Sequence, residues 1–159
     1  MNLDFIDVIE RAGDILLDGM HRDVKANYKG KSDIVTEIDL KSELFLKEEL
    51  LKIFKGYKIV AEETANKLVD DSRVIYIDPL DGTTNYYHKF PFFAISVAVY
   101  NDGLPIEAAI YNPYYKELFV ASKGEGAFLN GKKLCVSNKK GLEESLIVTG
   151  FTSGVIQKL

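Results

Sequence analysis

The hydrophobic period of this chain changes once, at Gly56, and that single change limits the folds open to it. Before Gly56 apolar residues recur at helical spacing; after it they fall into short β-branched runs bounded by turn residues. Over residues 1–20, Ile6, Ile9, Leu16 and Met20, with Ala12 and Gly13 between them, share one stripe, which predicts an amphipathic helix. The polar stretch 21–31, carrying Asn27 and Gly30, reads as a connection. Thr36-Glu37-Ile38-Asp39 has capping-box spacing, in which a Thr and an acid three residues on satisfy each other's backbone N–H groups. It opens a second helix, with Leu40, Leu44, Leu46, Leu50, Leu51 and Phe54 at helical spacings, closed by Gly56.

Strands are predicted at 58–61, 73–77, 92–100, 104–111 and 117–121, with Pro79 ending the second of these. Asn101-Asp102-Gly103 marks a tight antiparallel hairpin, Gly124-Glu125-Gly126 and Asn130-Gly131 mark later turns, and 145–149 reads as one more strand. Two helices followed by a largely antiparallel sheet make an α+β layout. The 159 residues fit one domain, and 47% apolar with 28% charged side chains is enough to bury a core, which excludes intrinsic disorder. The longest nearly apolar run, 92–100, is far short of the ~20 residues that span a bilayer. Asp4, Asp7 and Glu10 stand where a secretory leader needs a basic start and an apolar stretch. The single cysteine, Cys135, has no partner for an intrachain disulfide, and a cytoplasmic protein is the expectation. A net charge of −4 argues against a dedicated nucleic-acid binder.

The chemistry concentrates in Asp78-Pro79-Leu80-Asp81-Gly82-Thr83-Thr84-Asn85, directly after the strand at 73–77. Asp78 and Asp81, three apart in a turn, can converge on one point, and adjacent carboxylates repel unless a cation lies between them. Mg²⁺ suits such a place, taking one or two carboxylates plus waters and substrate phosphate, and the Leu80 carbonyl offers another oxygen. Gly82-Thr83-Thr84 supplies backbone N–H groups at the start of a short helix, an anion site. A turn capped by two Asp side chains is the plainer alternative for this block. A second acidic strand end, Glu62-Glu63 after 59–61, shifts the balance, because neighbouring strands would gather three acids at one sheet edge.

These residues carry a resemblance. The Asp-Pro-Leu-Asp-Gly-Thr-Thr-Asn block resembles the signature of the Mg²⁺-dependent, lithium-sensitive phosphatases that include fructose-1,6-bisphosphatases. Its continuation Tyr86-Tyr87-His88-Lys89-Phe90-Pro91-Phe92 is similar to the inositol monophosphatase branch. Ala61-Glu62-Glu63-Thr64 resembles that family's Gly-Glu-Glu motif, with Ala61 in place of the usual Gly. Lys31-Ser32-Asp33-Ile34-Val35-Thr36-Glu37-Ile38-Asp39 resembles its upstream motif, and Gly124-Glu125-Gly126-Ala127-Phe128-Leu129-Asn130-Gly131 a turn-rich segment. The resemblance covers nearly the whole chain and implies two helices packed on a largely antiparallel sheet, the front part of a sugar-phosphatase αβαβα fold.

It also implies roles. Glu62, Asp78, the Leu80 carbonyl and Asp81 would hold Mg²⁺. Gly82, Thr83 and Thr84 would bind phosphate, and Thr83, with Glu62 or Asp39, would orient a metal-activated water for in-line attack on phosphorus. The implied substrate is a small phosphorylated polyol or sugar, inositol monophosphate or also fructose 1,6-bisphosphate, and the implied assembly a homodimer. A phosphatase of the haloacid-dehalogenase type spaces its acids two apart, against three here. Lys31 and Asp33 are candidates for a loop near the metals, and His88 reads as a surface residue. Phe90, Phe92 and Phe93 read as core or subunit-contact residues, Cys135 as a small core side chain, and Lys132-Lys133 and Lys139-Lys140 as solvated turns. The family's later half, in which a Trp-Asp-x-Ala motif adds a metal carboxylate, has no counterpart in residues 1–159, and there is no Trp. Residues 1–159 are thus expected to be one α+β domain corresponding to the N-terminal part, without the C-terminal α/β part. Two functions stay open: a phosphomonoesterase, or a non-catalytic metal- and phosphate-binding fragment or partner subunit.

Overall fold

A computed structural model describes residues 2–22, 24, 26–28, 34–62 and 72–148. Helix α1 (Leu3–Met20) is capped by the Asn2 side chain, which accepts from the Asp4 and Phe5 N–H groups. It buries Phe5, Val8, Ile9, Ala12, Gly13, Leu16 and Gly19, the face expected from the helical spacing and displaced slightly from Ile6 and Met20. Strand β1 (Ala26–Tyr28), inside the stretch 21–31 that reads as a connection, pairs antiparallel with β2 (Ile34–Thr36) beyond it. Helix α2 (Glu37–Ile53) starts at the predicted capping box, with both reciprocal hydrogen bonds formed.

The buried face of α2 differs from the leucine pattern. Leu46 and Leu50 are buried, whereas Leu40, Leu44 and Leu51 are exposed, and the rest of the inward face is Ile38, Asp39, Ser42 and Glu43. The polar residues face inward because that side of α2 packs on the strand that carries the acidic turn.

The main sheet has the order β3 (Lys58–Ala61), β4 (Arg73–Asp81), β5 (Ala94–Asn101), β6 (Leu104–Asn112), β7 (Glu117–Ser122), β8 (Gly126–Leu129), β9 (Lys132–Lys133). Only β3 and β4 run parallel; the other neighbouring pairs are antiparallel. The predicted hairpin joins β5 to β6, with Asp102 and Gly103 both at positive φ, as a two-residue turn with the twist of its flanking strands requires. Helices α1 and α2 pack on each other and on one face of the sheet, over Ile75, Ile77, Ile95, Val97 and Val99. The α+β expectation thus stands.

Two strand expectations change. Strand β4 continues through Pro79 to Asp81, because its register shifts between Asp78 and Asp81 and a residue in a bulge needs no ladder N–H. Residues 145–148 form no strand; they follow a 3₁₀ turn at Leu142–Glu144, and their apolar side chains are exposed, so no neighbouring strand draws them into a ladder. Thr149 lies outside the described residues. No described helix is long and apolar enough to cross a membrane.

Candidate active site

The parallel pairing of β3 with β4 sets Ala61 opposite Ile77, so Glu62 and Asp78 leave the same end of the sheet on adjacent strands. The Glu62 N–H donates to the Ile77 carbonyl at 3.0 Å, which extends that register by one residue. Past Asp78 the bulge takes Pro79 and Leu80 out of the ladder. There the Leu80 N–H donates to Asp78 Oδ1 at 3.1 Å, and the Pro79 carbonyl accepts from Ser42 Oγ at 3.1 Å. Gly82 (φ 85°, ψ 36°) then reverses the chain into the short helix α3 (Thr83–Tyr87). A Cβ at Gly82 would stand 3.0 Å from the Phe92 carbonyl, so both the left-handed backbone and the close approach require glycine.

Asp39 reaches the same place from α2. Its carboxylate is fully buried: Oδ2 accepts from the Thr36 N–H at 2.9 Å and from the Thr36 hydroxyl, and Oδ1 accepts from Thr83 Oγ1 at 2.9 Å. Thr83 Oγ1 also lies 2.9 Å from the Leu80 carbonyl, so its one proton is divided between two acceptors. Burial raises the Asp39 pKa, opposed by the bonds from Thr36 and Thr83.

Glu62, Asp78, Leu80, Asp81, Gly82, Thr83 and Thr84 line one open cavity of about 250 Å³, with Ile34 and Asn85 completing its wall. Burial, and then the neighbouring carboxylates of Glu62 and Asp81, push the Asp78 carboxyl up to about 8. Such a cluster is at odds with itself unless protons or a cation sit among the oxygens. The donor set is entirely hard oxygen, three carboxylates and a carbonyl with a second lone pair, which fits Mg²⁺. The acids line the cavity without closing on a point: among the described residues, no three His, Cys, Asp or Glu side chains are drawn into a finished chelate. The first turn of α3 has no side-chain cap, so its N–H groups remain available to an anion. A second, mostly apolar cavity of about 450 Å³ shares Asp81, Gly82 and Asn85 with the first and runs along Phe92, Ile110 and Phe119.

All the site residues expected from sequence except Asp39 line the acidic cavity, and Asp39 touches it through Thr83. Glu63, Thr64, Lys31 and Asp33 lie outside the described residues. His88 is exposed; Phe93 is core, while Phe90 and Phe92 stand at the surface, 57% and 66% exposed. Cys135 is exposed and not a core residue, because among the described residues no strand follows β9 to alternate its neighbours inward. Ser42 is not among the residues expected from the sequence, and Asn85 closes the signature block there without a role of its own. Asn85 Nδ2 donates to the Phe92 carbonyl at 2.7 Å, bracing the loop after α3. The available signal for Ser42 was its position three residues after Asp39, on the same face of a helix.

The model of the inositol monophosphatase family matches residues 4–157. The chain is 37% identical over 149 residues to inositol monophosphatase 2 of Solanum lycopersicum, covering 91% of this chain and 56% of the relative. It is 38% identical over 143 residues to a fructose-1,6-bisphosphatase/inositol-1-monophosphatase of Aquifex aeolicus, covering 89% and 54%. Among solved structures, the Thermotoga maritima IMPase superposes with a TM-score of 0.78 at 36% identity, over 86% of this chain and 54% of that one. An IMPase/NADP phosphatase complexed with Mg²⁺ and phosphate superposes with a TM-score of 0.69 at 26% identity, over 80% and 48%. The chain thus spans about half the length of the curated relatives it matches. By that match over nearly its whole length, and with the fold shared with those solved structures, the chain belongs to the inositol monophosphatase family.

Proposed function

We propose that the cavity is the centre of an Mg²⁺-dependent phosphomonoesterase acting on inositol monophosphate and extending to fructose 1,6-bisphosphate. One observation carries the reading: Glu62, Asp78 and Asp81 surround the same cavity as the uncapped turn at Thr83, whose hydroxyl is held by buried Asp39. Glu62, Asp78, the Leu80 carbonyl and Asp81 would hold the cation. Mg²⁺ supplies a Lewis acid that neutralises phosphoryl charge and lowers the pKa of the attacking water. The N–H groups of α3 and the Thr83 and Thr84 hydroxyls receive the phosphate. The Thr83 proton, shared between Asp39 and the Leu80 carbonyl, faces away from the water and leaves the Thr83 oxygen lone pairs to accept from it and orient it. Glu62 offers that water a second acceptor. The water oxygen would bond to phosphorus as the ester P–O bond breaks, the water passing a proton to Glu62 and the leaving alkoxide taking one from solvent in the open cavity. A homodimer through exposed Phe90 and Phe92 belongs to the same reading.

The half-length match favours a second reading, a metal- and phosphate-binding module or partner subunit whose turnover needs a completing half. Two measurements separate them: thermal unfolding with and without Mg²⁺, and phosphate release from both substrates. Cation binding at 100 times Kd adds about 2.7 kcal/mol of stability. That gain should be present in the wild type and absent in Asp78→Asn. Turnover that disappears in Asp78→Asn and Thr83→Ala supports the enzyme; an Mg²⁺-dependent gain without turnover at any Mg²⁺ concentration supports the second reading. No gain and no turnover refutes both.

A further inference from the structure

We infer that Ser42 is a positioning residue for the acidic turn: from α2 its hydroxyl fixes the Pro79–Leu80 peptide from which the Asp78 carboxylate is oriented, and thereby tunes the affinity of the cavity for a divalent cation. The inference rests on the cation-binding part of the reading above. Its basis is geometric. Ser42 is fully buried, and its Oγ donates across 37 positions of sequence to the Pro79 carbonyl at 3.1 Å. A serine inside a helix ordinarily returns its hydroxyl to a carbonyl of its own preceding turn. Here the proton goes to another element, at the point where the register of β4 shifts and the ladder no longer holds the backbone.

The consequence follows from peptide planarity. The Pro79 carbonyl and the Leu80 N–H belong to one rigid trans unit and point in opposite directions. Pinning the oxygen on the α2 side therefore aims the N–H to the other side, where it donates to Asp78 Oδ1 at 3.1 Å. The next carbonyl, that of Leu80, is held in turn by Thr83 Oγ1 at 2.9 Å. Two hydroxyls thus fix two successive peptide units of a bulge that has lost its ladder bonds. Proline at 79 has no N–H with which to anchor this stretch, and its carbonyl is held by Ser42. Pairs of this kind behind a metal ligand typically govern about 10–100-fold of metal affinity.

The test uses the 159-residue chain and Mn²⁺ alone, read as loss of the free aqua-ion signal in electron paramagnetic resonance. Four proteins are compared: wild type, Ser42→Ala, Ser42→Cys, and Leu50→Ala as a buried control on the same helix. Affinity is measured well below every melting temperature. Expected is a loss of about 10–100-fold in Ser42→Ala, a smaller loss in Ser42→Cys, whose thiol is a weak donor, and wild-type affinity in Leu50→Ala. In parallel, hydrogen exchange without metal should quicken about tenfold at Leu80–Asn85 in Ser42→Ala alone, the effect of one lost buried hydrogen bond. Equal affinity in Ser42→Ala and Leu50→Ala overturns the positioning role while leaving the cation site standing. If the wild type takes up no Mn²⁺, the cation reading fails and with it this tuning role, and exchange then tells only whether Ser42 holds the turn.

Discussion

Tyr86 links the site to the helical layer, and removing its hydroxyl should loosen that link. Its ring is fully buried, edge-on to Phe93 with centroids 4.9 Å apart, and its hydroxyl donates to the Leu16 carbonyl at 2.6 Å. Leu16 is inside α1, so its carbonyl keeps its own helical bond when the second donor is removed, and Tyr86→Phe orphans nothing. The expected cost is then that of one satisfied hydrogen bond, about 1 kcal/mol. For a chain of this size that is about 2–4 °C in Tm. Tyr86→Ala also removes a buried ring and should cost ~3–5 kcal/mol. The phenol has a pKa raised by burial, then by the charges of Asp39 and Asp18. A raised folded-state pKa means that the stabilisation is complete below the unfolded tyrosine pKa of ~10 and is lost as pH rises above it. The wild type should therefore lose its advantage over Tyr86→Phe above pH ~10, while the deficit is constant from pH 6 to 9. Thermal unfolding followed by circular dichroism at stepped pH measures both. An unchanged or higher Tm for Tyr86→Phe at neutral pH would refute the claim that this bond fastens α3 to α1.

Two further perturbations follow from particular positions. Gly82→Ala puts a Cβ at φ 85° and 3.0 Å from the Phe92 carbonyl, and should cost more than the ~1–2 kcal/mol of a left-handed residue alone, read in urea unfolding; a smaller cost would show that the turn relaxes freely. Glu107 has one buried carboxylate oxygen without a hydrogen-bond partner and a pKa raised by burial, with Glu125 adding to it. Its stabilisation is present below the unfolded pKa of ~4.3 and lost as pH rises, so Glu107→Gln should equal the wild type near pH 4 and melt higher at pH 7. The reverse trend across melts at pH 4, 5.5 and 7 would exclude burial as the dominant influence.

Much of the secondary structure was legible because its causes are local. The capping box at Thr36–Asp39 is a contact three residues long, and the Asp102-Gly103 turn is set by the φ values those residues tolerate. The buried face of α2 is not legible for the opposite reason: leucine spacing says which residues are apolar, not which side meets a partner. Leu44 is 60% exposed while Ser42 and Glu43 are buried, since the sheet beneath α2 presents a polar turn at that point.

The change of period, the α+β class, and the cluster of acids and glycine at 78–82 are written in local pattern alone. Packing alone sets Glu62 beside Asp78, brings Asp39 to Thr83 44 positions away, and lets Ser42 reach Pro79. Short-range pattern follows from what each residue allows its own backbone. Convergence depends on strand order, register and the seating of a helix, which the burial of the whole core selects at once.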